Sequence, residues 1–165
     1  MQAEKRKEKQ KILEPSEVRI IDYITELLIR EAHKPLTNME FHIEEATPDE
    51  IILSSTPRVY ETDLNDVGFE GLFAVLSNNA DKVIEEPPNY VIYDSFPLPK
   101  FFDVSADDVM DILHNVMSIK LNEEDEKRLR ELLGNSKYNI ITYHVIKLTK
   151  PEIITKFEIH ITKST

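Results

Sequence analysis

The chain has 165 residues, a formal net charge of −11 from 20 basic and 31 acidic side chains, and a hydrophobic share of 41%. This length suits one domain that buries roughly 70% of its unfolded surface, and the balance is that of a globular chain with no run apolar enough for a membrane span or signal peptide. With no cysteine, disulfides, thiolate metal sites and a cysteine nucleophile are excluded, and three glycines (Gly68, Gly71, Gly134) are too few for a glycine-rich phosphate cradle.

Charge is unevenly spread. Residues 1–13 hold Lys5, Arg6, Lys7, Lys9 and Lys11 against Glu4 and Glu8, a local +3 that leaves −14 for the rest. Phosphate backbones reward clustered cations by counterion release, so direct nucleic-acid contact is expected only through this tip. The tip (1–14) is expected to be a solvated, frayed helix ahead of an α+β domain (15–165). Abundant Ile, Leu, Val, Lys and Glu, with glutamine only at Gln2 and Gln10, lean towards a thermophile. The expected setting is cytoplasmic, with an archaeal or viral source and no membrane partner.

Pro15 suits a first helical turn, and Val18, Ile21, Ile24, Leu27 and Leu28 recur at three- and four-residue steps. They predict an amphipathic helix that ends before Pro35. Met39 to Glu44 alternates apolar and polar side chains, Thr47-Pro48-Asp49 has turn chemistry, and Ile51 to Leu53 forms a short buried run, together predicting an antiparallel hairpin. Thr62 or Asp63 is the expected cap of a helix through Leu64, Val67, Leu72, Val75 and Leu76 that stops before Pro87-Pro88, the candidate subdomain boundary. Tyr90 to Tyr93 is a third strand, and Asp94 to Asp103 is expected to be irregular. Ser105 and Asp108 form a capping box. The helix behind it carries Val109, Ile112, Leu113, Val116 and Met117 on one face. Asn122 caps a further helix, closed by Gly134.

Asn139 to Thr149 and Glu152 to Thr162, joined by Lys150-Pro151, are rich in β-branched and aromatic residues and predict a C-terminal β-hairpin. Ile153, Phe157, Ile159 and Ile161 share the inward parity; Lys156, Glu158, His160 and Thr162 share the outward one. The whole order predicts a single α+β domain with about four helices and a mainly antiparallel sheet of about five strands.

Chemistry is harder to find. Asp107-Asp108-Val109-Met110-Asp111 places Asp107 and Asp111 on one helical face, as a magnesium–diphosphate site would need, but first-turn acids are explained by capping alone. Asp63 to Gly68 starts like a calcium loop, yet Val67 and Ala74 stand where oxygen ligands are required. The histidines (His33, His42, His114, His144, His160) form neither HxxxH nor HExxH. If the C-terminal turn pairs Thr149 with Ile153, His144 faces Glu158 and Thr142 faces His160 on the wet side, a potential proton-transfer patch. With Asp94 at the end of the third strand, Asp94, His144, Glu158 and His160 make the candidate catalytic set of a small metal-dependent hydrolase or nuclease. No cofactor or metal motif is present.

Binding features are plainer. In Phe96-Pro97-Leu98-Pro99-Lys100-Phe101-Phe102 two prolines stiffen a loop whose Phe96, Leu98, Phe101 and Phe102 either fold under it or anchor a partner. The edge of the C-terminal hairpin is a candidate homodimer contact. The leading expectation is a non-catalytic protein-interaction module: a subunit, adaptor or modulator of a larger, nucleic-acid-handling assembly, its acidic surface able to mimic nucleic acid. The hydrolase is the alternative.

Overall fold

The structure, a computed structural model, describes residues 15–164; the charged tip lies outside the described residues. Among them, four helices accompany one eight-stranded sheet. The helices are α1 (Pro15–Ala32), α2 (Asp66–Ser77), α3 (Ala106–Asp111, running on into a π-helical turn Ile112–Val116) and α4 (Glu123–Leu132). The strands are β1 (Phe41–Ala46), β2 (Glu50–Ser55), β3 (Arg58–Glu61), β4 (Lys82–Glu86), β5 (Asn89–Asp94), β6 (Lys100–Val104), β7 (Tyr138–Thr149) and β8 (Glu152–Lys163). All pairings between these strands are antiparallel. The fold is therefore α+β with the expected C-terminal hairpin, but the sheet exceeds the expected five strands. None of the helices is long and apolar enough to cross a membrane.

The long β7–β8 hairpin is the centre of the sheet. β2 and β3 follow one another along the outer side of β8, and β6 and β5 do the same along β7. β1 lies outside β2 and β4 outside β5. The hairpin edge expected to be available for dimerisation is thus already filled, because backbone donors and acceptors left open there are satisfied within the chain. Pro87-Pro88 forms the turn of the β4–β5 hairpin, between Glu86 and its partner Asn89.

Local chemistry explains most elements. Asn65, not Thr62 or Asp63, caps α2: its Oδ1 accepts the Gly68 N–H at 2.8 Å. Gly68 also allows close packing there, since a Cβ would meet Leu64 Cδ2 at 2.8 Å. Ser105 and Asn122 cap their helices as expected, accepting from Asp108 and Asp125. Val116, expected on the inner face, is exposed. The π-turn inserts an extra residue, with Met117 N–H bonded to Ile112 O at 2.7 Å, and rotates Val116 off the stripe.

Two apolar clusters form beneath the helices. One gathers Val109, Leu113 and Leu129 on Tyr138, Ile140, Phe157 and Ile159; the other gathers Ile21, Ile24, Leu28, Phe69 and Leu72 on Ile92, Ile146, Leu148 and Ile153. The β7 members are all even-numbered, so both clusters occupy the same face of the sheet. Truncating the fully buried Ile159 to alanine is expected to lower the unfolding free energy by about 2–5 kcal/mol in urea titrations. Val83→Ala on outer strand β4 should change it by about 1 kcal/mol or less.

Candidate functional site

Register decides which candidate residues meet. Thr149 pairs with Glu152 rather than Ile153, so His144 lies opposite Phe157, Tyr143 opposite Glu158 and Ile141 opposite His160. The expected His144–Glu158 and Thr142–His160 pairs do not form. Because side chains alternate, His144 belongs to the helix-covered face and His160 and Glu158 to the other. His144 is buried, not on a wet surface. Asp94 sits directly opposite His144 across β5 and β7. The structure thus joins Asp94 with His144, joins Glu158 with His160, and separates the two pairs by the sheet. Among the described residues no group of three or more His, Cys, Asp or Glu side chains is placed to hold a metal.

His144 has a partner that sequence reasoning missed. Glu31, in the last turn of α1 and 4% exposed, places Oε1 at 2.8 Å from His144 Nε2 and receives the Tyr60 hydroxyl on Oε2 at 2.6 Å. Burial alone would raise the Glu31 pKa. The hydrogen bonds, led by that from His144, outweigh burial and bring it from 4.5 down to about 2. A signal did exist: Ile21, Ile24, Leu28 and Glu31 follow helical three- and four-residue steps, so an acid occupies a position of the buried stripe.

Beside this pair opens a cavity of about 490 Å³. Leu28, Ile29 and Ala32 of α1, Leu76 of α2, and Ile92 and Ile146 of the sheet form apolar walls. His144, Asp94, His33 and Asn79 supply its polar atoms, and Phe96 lies against its rim with its ring 6.2 Å from that of His33. The apolar loop therefore splits in function. Leu98 and Phe101 pack against the first apolar cluster, whereas Phe96 and Phe102 are 73% and 61% exposed.

The opposite face holds a closed ion network. Lys156 Nζ lies 2.7 Å from Glu44 Oε1 and 3.0 Å from Glu158 Oε2, and His160 Nε2 lies 2.8 Å from Glu158 Oε1. Lys156 and Glu158 were expected in water, yet both are buried. A register shift in β1 between Ile43 and Glu45 accompanies the Glu44 contact with Lys156, and Tyr143 packs edge-on to His160 at 4.8 Å. Desolvation would lower the Lys156 pKa, but its two carboxylate bonds raise it; Glu158, which burial alone would raise, is lowered by His160 and Lys156. Each charge in this network has an opposite partner, so its chemistry is that of a brace between β1 and β8.

No protein-family model, curated protein or solved structure matches this chain. Its class is accordingly defined by its own architecture: an α+β protein with a buried histidine–carboxylate pair beside an apolar pocket.

A carboxyl with a folded pKa below its unfolded value stabilises the fold when ionised, fully above about pH 4.5 and less as pH falls towards 2. Glu31→Gln is therefore expected to lose about 3 kcal/mol at pH 7 and less than half of that at pH 3, measured by urea unfolding of both proteins.

Proposed function

We propose that this chain is a non-catalytic binding protein that receives a small, largely apolar molecule in the pocket beneath α1. The supporting observation is the pocket itself: about 490 Å³, with aliphatic walls on two helices and two strands and a histidine oriented by a buried carboxylate. Ligand sites typically combine such walls, a volume of about 300–1,000 Å³ and a few placed polar groups. The Glu31 bond holds the His144 ring, so its orientation is set before any ligand arrives.

Naphthalene, an uncharged probe of suitable size, should bind saturably and shift the methyl resonances of Ile29, Ala32, Leu76, Ile92 and Ile146. Leu76→Trp, which fills the cavity from α2, should abolish those shifts. Saturation without shifts at these methyls, or no saturation, would remove the proposal.

A second reading, docking of this chain as a subunit or adaptor in a larger assembly, is favoured by the exposure of Phe96 and Phe102. Replacing both by serine should reduce recovery of co-purifying partners at least tenfold with an unchanged melting curve. Equal recovery would dismiss it.

A further inference from the structure

We infer that the ligand of this pocket is a lipophilic amine bound as its ammonium ion. The inference rests on the pocket being a ligand site, and its argument comes from the polar atoms that the pocket presents.

Asn79 offers the pocket both donors and an acceptor, while the one carboxylate among the described residues lining it, that of Asp94, can only accept. The Glu31 carboxylate is ionised and can only accept, so the His144 nitrogen facing it, Nε2, carries a proton. With Nε2 donating to Glu31, the ring's other nitrogen, Nδ1, is the polar atom left to the cavity, and it is an acceptor whenever the ring is neutral. His33 follows the same logic: its Nδ1 lies 2.8 Å from the Ile29 carbonyl, which can only accept, so Nδ1 donates and Nε2 is an acceptor whenever the ring is neutral. Asp94 takes the Phe96 N–H on Oδ1 at 3.0 Å and keeps Oδ2 for a ligand.

The spacing suits one small cationic group. Asp94 and His144 are direct partners on antiparallel strands, and such residues have Cβ atoms about 4.5–5.5 Å apart. One ammonium, with three donors and no acceptor, can engage both. A neutral hydroxyl offers a single donor, and a carboxylate offers none.

Charge selects in the same direction. Asp94 borders the cavity and ionised Glu31 stands behind His144, while no lysine or arginine is among the described residues lining it. Within apolar walls the effective dielectric is low, so an anionic ligand is repelled and a cation attracted more strongly than on the surface. The Phe96 ring at the rim adds a face to which ammonium groups are drawn. The aliphatic walls take the hydrocarbon body.

The test uses three probes of nearly equal shape on the full chain at pH 8 and 0.15 M salt: 1-naphthylmethylamine, 1-naphthalenemethanol and 1-naphthoate, each titrated calorimetrically. The amine is expected to bind at least tenfold tighter than the alcohol, and the alcohol at least tenfold tighter than the carboxylate. Asp94→Asn should reduce the amine's advantage over the alcohol to less than threefold, and Leu76→Trp should abolish binding of both. Naphthoate binding as tightly as the amine would overturn the inference and leave the pocket standing as a ligand site. Amine binding that survives Leu76→Trp would place it on the acidic exterior and overturn the inference equally. Failure of all three probes, with naphthalene also unbound, would remove the pocket itself. The probe series on the unaltered protein decides the matter even where a variant does not fold.

Discussion

The ladder between β7 and β8 sets the arrangement of everything else. Its pairs run from Tyr138 opposite Lys163 to Thr149 opposite Glu152, and this pairing puts Ile140, Ile146 and Leu148 on the same face as Ile153, Ile159 and Ile161. Each of these side chains is buried, and each contributes roughly 1.5–3 kcal/mol by leaving water. Turning one strand over would expose its whole apolar set, a penalty far above the stability of a typical domain's weakest contacts. Both cores, both flanking strand pairs and the separation of His144 from His160 follow from that parity.

The Glu31–His144 bond acts within this frame. It lies on the covered face, where β7 passes between one apolar cluster and the other, and it reaches α1 from β7 while Tyr60 reaches the same carboxylate from β3. A buried pair is a weak source of net stability, because desolvation offsets most of the attraction, but loss of one partner leaves an uncompensated group. Its larger effect is geometric: it fixes where the C-terminal turn of α1 sits over the sheet, and so the width of the cavity between them. The Lys156–Glu158 network does similar work on the other face, where β1 is the strand held in place.

Much of this fold was legible in the residues. The strongly periodic segments, namely α1, the capped helices at Ser105 and Asn122, and the β7–β8 hairpin, declare themselves through apolar spacing and cap chemistry. β3, β4 and β6 do not, because they are short, flank other strands rather than crossing the core, and bury too few side chains to show a period of two. The site was harder still. Asp94 and His144 both stand out in the sequence but their partners do not, since a one-residue shift at Lys150-Pro151 exchanges every cross-strand partner of β7 and β8. Glu31 does not stand out, because a single acid in an amphipathic helix looks ordinary until the face it occupies is counted.

The order of elements along the chain carries a consequence for biosynthesis. β3 and β6 find their strand partners only in residues 138–163, and β2 and β5 find their second partner there, in a segment that leaves the ribosome after all four. Before that, the nascent polypeptide has only local hairpins and helices, which are marginal on their own. Its apolar surfaces stay uncovered until the last pair of strands emerges, so consolidation is a late event dominated by contacts distant in sequence. Until then the apolar faces of the earlier elements are open to aggregation and to chaperone binding.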